Sequence, residues 1–176
     1  MSAVWVALEL VVGIISRRSG LSKSPHDRGS HTLLWVLLIA TTLAAGFVRQ
    51  LPIGRMLDLF WVGIALMLAG MAIRATAILT LRRFFTVQVT IQESHELIDR
   101  GIYRVVRHPS YSGALLSFIG LGLAFGSWFS LALVLVGALI GFAYRIRVEE
   151  AALVNHFGDR YRQYAARTKR LIPGIY

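Results

Sequence analysis

The chain has 176 residues, 56% of them hydrophobic, a formal net charge of +10 and no cysteine. So apolar a composition exceeds what one soluble core requires and points to a bilayer as the solvent. The absence of cysteine excludes disulfides, thiolate catalysis and thiolate-held metals, and basic residues set between apolar runs, with no zinc spacing or RNA-recognition signature, exclude a nucleic-acid reader.

Apolar runs lie at about 3–15, 32–48, 57–81, 113–126 and 128–144. A membrane helix needs about 20 residues, so the third run is ample and the first short. The first lacks a basic region before it, contains Glu9 and is followed by Arg17 and Arg18. It therefore reads as a retained helix rather than a signal peptide. Only Gly126, Ser127 and Trp128 part the last two runs, which predicts an antiparallel hairpin. The expected fold is all-α: one polytopic membrane domain over 1–176 with about five transmembrane helices and a C-terminal interfacial helix. Residues 1–81 hold the N-terminal helices, and 82–176 the motif region with the hairpin and a C-terminal cap.

Charge orients these helices. Arg17, Arg18, Lys23 and Arg28 occupy the first loop, and Arg82, Arg83, Arg100, Arg104 and Arg107 the third. Seven more Lys or Arg lie from 145 onward, whereas the second loop holds only Arg49 and Arg55. The first and third loops and the C-terminus are thus expected on the cytoplasmic side, of a bacterial inner membrane ahead of the endoplasmic reticulum. Arg74, seven residues from the end of its run, is expected to snorkel to the headgroups. Gly122 with Gly126 and Gly137 with Gly141 are four apart and suit close helix approach. The glycines of GLGLAFG at 120–126 lie inside an apolar helix, so they do not form a nucleotide loop.

The third loop is polar and patterned. Thr86 to Ile91 alternate polar and apolar, the period of an extended segment. Gly101 interrupts the chain, and Pro109 biases His108 away from helical geometry just before the next helix. Taken singly, an interfacial Tyr is an anchor and an interfacial Arg binds lipid phosphate. The concentration of Gln88, His95, Glu96, His108, Ser110 and Tyr111 in one loop points instead to a site. It faces RIRVEE at 145–150, where Arg145 and Glu149 are four apart and share one helical face. Beyond, Leu153, Phe157, Tyr161 and Tyr164 recur at helical spacing with Arg160, Arg162 and Arg167 on other faces, an interfacial amphipathic helix that Gly158 bends or divides.

The order Gln88, HELI at 95–98, GIYRVVRHPSYSG at 101–113, RIRVEE at 145–150, FGDRYRQY at 157–164 and LIPG at 171–174 resembles the isoprenylcysteine carboxyl methyltransferase family of integral membrane enzymes. The resemblance covers roughly the C-terminal half. Ile102 stands where many members have proline, and eukaryotic members carry further N-terminal membrane helices. The resemblance implies S-adenosylmethionine as cofactor, contacted by Gln88, His95, Glu96, Leu97, Ile98, Tyr103, His108, Pro109, Ser110, Tyr111 and Glu149, with Arg145 addressing the substrate. The implied acceptor is lipid-like or prenylated, with membrane lipids as surroundings. Arg145 and Glu149 are the expected catalytic residues, and no spacing of His and carboxylates suggests a metal. Three other readings stay open: an amine N-methyltransferase acting on phospholipid or another amine, a membrane reductase using a nicotinamide cofactor, and a non-catalytic scaffold.

Overall fold

The computed structural model describes residues 29–51, 54, 58–81 and 97–175. They form α1 (Ser30–Val48), α2 (Phe60–Leu81), a 3-10 turn (Gly101–Arg104), α3 (Pro109–Ala124), α4 (Trp128–Phe157) and α5 (Asp159–Arg167). Among the described residues there is no β-strand, only an isolated bridge between Val106 and Lys169. The fold is all-α and polytopic. Four of the five expected apolar runs are helices, and the run at 3–15 lies outside the described residues, as do Glu9 and the alternating segment at 86–91. α1, α2 and α4 are long and apolar enough to cross a membrane, whereas α3 is a shorter apolar helix.

Local chemistry sets the boundaries. Pro109 occupies the first turn of α3, where its missing N–H costs nothing, and His108 before it is non-helical at φ −124° and ψ 57°. The α3–α4 hairpin turns at Gly126, φ 66°, and Ser127 caps α4 by accepting from the Ser130 N–H at 3.5 Å. Gly158, at φ 55°, divides α4 from α5, as the amphipathic pattern suggested. One boundary departs from expectation. The last membrane helix does not end just past Glu149 but runs 30 residues to Phe157, about 45 Å at 1.5 Å per residue. Arg, Glu, Ala and Leu are all good helix formers, so loss of apolarity after Tyr144 does not stop the helix.

α2 packs on α3 through glycines that exchange places. A Cβ on Gly113 would lie 2.5 Å from the Gly70 carbonyl oxygen, and one on Gly63 2.5 Å from that of Gly120. Gly63 and Gly70 are seven apart, as are Gly113 and Gly120, so the two helices touch backbone to backbone over two turns. Ser117 Oγ adds a bond across the seam to Met67 O at 3.2 Å. Of the glycines expected from four-residue spacing, all but Gly126 also allow close approach. Gly122 meets Leu131 within the hairpin, Gly137 and Gly141 meet Thr41 and Leu34 of α1, and Gly126 serves the turn. α1 is pinned to α4 at both ends, where Ser130 Oγ donates to Ala45 O at 2.8 Å and Arg145 Nη1 to Ser30 Oγ at 2.6 Å. Between those bonds Leu34, Leu38, Val134, Ala138 and Phe142 form the core with Phe118 of α3. The outward faces carry exposed Leu43, Phe47, Trp61 and Leu79, a surface suited to lipid.

Gly113→Val is expected to lower the thermal midpoint of the detergent-solubilised protein, because overpacking there costs about 1–3 kcal/mol. Gly46→Ala, whose added Cβ meets no atom within 4 Å, should leave it in place. Equal midpoints for the two variants would contradict the glycine seam.

Candidate functional site

The polar cluster forms where α3 begins and α4 leaves its apolar half. Arg145, only 2% exposed, reaches Ser30 of α1 and donates from Nε to the Tyr111 hydroxyl at 3.4 Å. That hydroxyl in turn donates to Glu149 Oε2 at 2.9 Å. The phenol of Tyr111 therefore links the arginine to the glutamate one turn above it. Glu149 keeps 32% of its side chain exposed, so the carboxylate faces both the cluster and its opening.

His108 is buried, with Nε2 3.3 Å from Glu150 Oε1 and Nδ1 4.0 Å from Glu149 Oε2. A carboxylate only accepts, so the short contact places a proton on Nε2. The ring lies tilted over Tyr111 at 5.7 Å, and Tyr111 over Phe142 at 5.4 Å, which gives the cluster an apolar aromatic floor.

Glu150, beside the glutamate that the helical spacing singled out, is the hub that sequence reasoning missed. Its Oε1 accepts from Arg107 Nε at 2.9 Å, and its Oε2 from Arg170 Nε at 3.0 Å and Nη2 at 2.9 Å. Arg107 extends the network to the carbonyls of Ala165 and Thr168. Backbone bonds complete the joint: Arg107 N–H donates to Lys169 O at 2.7 Å and His108 N–H to Arg170 O at 3.0 Å. Ser112 Oγ donates to Leu171 O at 2.6 Å. Residues 168–171 thus lie as a strap along RHPSY. The signal available in the sequence was the doubled glutamate of RIRVEE, but its partner Arg170 stands 20 residues on, beyond any helical spacing.

The remaining expected residues divide. Tyr103 is buried and donates to Ala77 O of α2 at 3.5 Å, while its own carbonyl accepts from the Tyr164 hydroxyl at 2.7 Å. Burial, the largest influence, pushes the Tyr164 phenol up to about 12, so it stays a donor at neutral pH. Ser110 Oγ accepts from Arg74 Nη1 at 3.1 Å. Arg74, expected to reach toward the headgroups, thus bonds the head of the neighbouring helix. Pro109 is fully buried, and Leu97 and Ile98 are half-buried. Tyr103, His108, Ser110, Tyr111, Arg145 and Glu149 are brought to one end of the bundle, whereas Gln88, His95 and Glu96 lie outside the described residues. Among the described residues no group of three His, Cys, Asp or Glu could hold a metal ion.

A helical bundle with lipid-facing sides and a cluster of arginine, histidine and glutamate side chains at one end is a polytopic membrane protein with a polar cluster at its helix ends. Residues 59–160 match the model of the phospholipid methyltransferase family, and the chain belongs to that family. It is 35% identical over 115 residues to protein-S-isoprenylcysteine O-methyltransferase B of Arabidopsis thaliana, covering 64% of this chain and 58% of that protein. It is 34% identical over 134 residues to the protein-S-isoprenylcysteine O-methyltransferase of Dictyostelium discoideum, covering 68% of this chain and 51% of that protein. The fold matches the eukaryotic intramembrane Ras methyltransferase, isoprenylcysteine carboxyl methyltransferase, with a TM-score of 0.62 and 27% identity, over 88% of this chain and 55% of that one. The chain thus aligns with between 51% and 58% of the length of these relatives.

Glu150→Gln should destabilise the protein by about 3 kcal/mol, since it leaves the largely buried Arg107 and the half-buried Arg170 facing a neutral group. Hydrogen exchange at the Arg107 and His108 amides should accelerate with it. Unchanged exchange at those two amides would mean that the ion pairs do not hold the strap.

Proposed function

We propose that the chain is an S-adenosylmethionine-dependent carboxyl O-methyltransferase whose acceptor is lipid-like, an isoprenylcysteine carboxylate. The observation that carries this reading is the Arg145–Tyr111–Glu149 relay, a buried cation for an anionic acceptor set one helical turn from a carboxylate for a cationic donor. The named activities of the relatives support the same assignment.

The side chains present fit the proposed cofactor. Its sulfonium and amino groups are cationic and its ribose carries hydroxyls, and the cluster offers a partly open carboxylate at Glu149, the His108 ring and the phenols of Tyr103 and Tyr111. Gln88, His95, Glu96, Leu97 and Ile98 are proposed as further contacts by resemblance. When bound, S-adenosylmethionine supplies a methyl group on positively charged sulfur.

The protein's task is then positional. A C-terminal carboxylate has an unperturbed pKa of about 3.3–3.7 and is already a nucleophile at neutral pH, so no general base is required. Arg145, fixed by Ser30 and Tyr111, orients that carboxylate and turns an encounter into an aligned pair. The aromatic floor of His108, Tyr111 and Phe142 keeps water from the anion. The acceptor tail enters from the lipid and the cofactor from the aqueous end. That end is assigned to the cytoplasm, because exposed Arg100, Arg104, Arg147, Arg160, Arg162, Arg167 and Lys169 crowd it. The family's description favours a second reading, phospholipid N-methylation. An amine acceptor starts protonated, however, and Arg145 repels it.

Purified protein in lipid, given methyl-labelled S-adenosylmethionine with farnesylated cysteine or with membrane lipids, should place base-labile label on the former. Arg145→Lys keeps the charge but loses the planar fork, and should cut turnover by about 100-fold while donor affinity is retained. Base-stable label in the lipids would replace the carboxyl reading with amine methylation. Undiminished turnover in the variant would remove Arg145 from the acceptor site.

A further inference from the structure

Tyr161 carries a hydroxyl that the fold leaves unsatisfied. The residue is 2% exposed, and among the described residues its Oη has no hydrogen-bond partner. Such a group costs about 1–3 kcal/mol when buried, and native proteins keep few of them without cause. Phenylalanine would fill the same space at lower cost.

Its neighbour makes the contrast plain. Tyr164, three residues on along the same inward face of α5, has its ring 6.0 Å away, edge to face. The Tyr164 hydroxyl donates to Tyr103 O at 2.7 Å and so ties α5 to the loop before α3. Tyr161 has no such structural use for its hydroxyl, although it sits beside the site. Arg107, which donates to Ala165 O one turn along α5 from Tyr161, is the same residue that pairs with Glu150. The charged groups that act on the phenol are Glu150, Arg107 and Glu149. Burial first, and then the Glu150 carboxylate, push the phenol above its ordinary range, so it holds its proton at neutral pH. The hydroxyl bonds neither glutamate: Glu149 accepts from Tyr111, and Glu150 from Arg107 and Arg170. The Tyr161 hydrogen is left for an incoming acceptor.

We propose that Tyr161 is a ligand-binding residue that donates its phenolic hydrogen to an acceptor oxygen of the S-adenosylmethionine held beside Glu149. This rests on the methyltransferase reading above. The described residues offer the hydroxyl no acceptor, and the ligand supplies one. α5 thereby becomes one wall of the donor pocket rather than a cover over it.

The test compares the full-length protein and Tyr161→Phe in lipid nanodiscs, with S-adenosylmethionine as the probe. The dissociation constant should rise about tenfold, the equivalent of one hydrogen bond of about 1.4 kcal/mol. The ligand-free thermal midpoint should hold or rise, and turnover at saturating donor should be kept, so that KM moves and kcat does not. Tyr164→Phe, which strips the bond to Tyr103 O, should instead lower the ligand-free midpoint. Equal donor affinity in Tyr161→Phe overturns the proposal, as does a lowered ligand-free midpoint, which assigns the hydroxyl to the fold. Wild-type protein that binds no S-adenosylmethionine overturns both this proposal and the methyltransferase reading, whereas tight wild-type binding unaffected by Tyr161→Phe overturns this one alone.

Discussion

One carboxylate, Glu150, decides the arrangement of the functional end. Charges at the edge of an apolar bundle are tolerated only when they are paired and hydrogen-bonded. Glu150 meets that demand with Arg107 from the approach to α3, Arg170 from the C-terminal strap and the His108 ring. The pairing sets the entry of α3 against α4 and fixes which nitrogen of His108 carries a proton. It also fastens 168–171 alongside 106–108. The RHPSY motif therefore has two jobs. Arg107 and Ser110 hold the chain in place through Glu150 and Arg74, whereas His108 and Tyr111 turn toward the glutamates.

The bundle beneath consists of two tight pairs. α2 and α3 approach through reciprocal glycines, and α1 and α4 through small residues bracketed by serine bonds. The pairs are joined by the hairpin and by an aromatic stack in which Phe142 touches Tyr111 on one side and Phe118 on the other, at 5.4 and 6.2 Å. In hydrocarbon, where burial of apolar surface gives helices little reason to associate, packing of this kind and bonds between helices carry the association.

Much of this was legible in advance, and the misses have physical reasons. Hydropathy located α1 to α4 and the hairpin because spanning helices must be apolar, and the Pro109 and Gly158 breaks followed from backbone sterics. The end of α4 was placed too early because hydropathy registers the solvent, while the helix persists past Glu149 to Phe157 through good helix formers held by bonds to neighbouring segments. The seam of Gly63, Gly70, Gly113 and Gly120 has a period of seven and escaped a scan for four. The Arg74 bond to Ser110 was not foreseen because the two are 36 residues apart, and Glu150 was passed over for Glu149 because helical spacing favoured the latter. Pairings between distant segments leave no periodic trace. Clusters of chemistry-bearing residues are visible locally, and the structure brings Arg145, Glu149, His108 and Tyr111 from two such clusters together.

The unbroken course of α4 imposes a metric on the chain. Its backbone bonds hold Phe142 in the aromatic floor, Arg145 beside Ser30 and Glu149 beside Tyr111 on one rigid spindle, with Arg145 and Glu149 about 6 Å apart along the axis. Adding or removing one residue between Phe142 and Glu149 would swing everything beyond by about 100° and detach the glutamates from Tyr111, His108 and Arg107. A single exchange in this interval alters one contact, whereas a change in its length alters all of them at once. Insertion and deletion are closed to it.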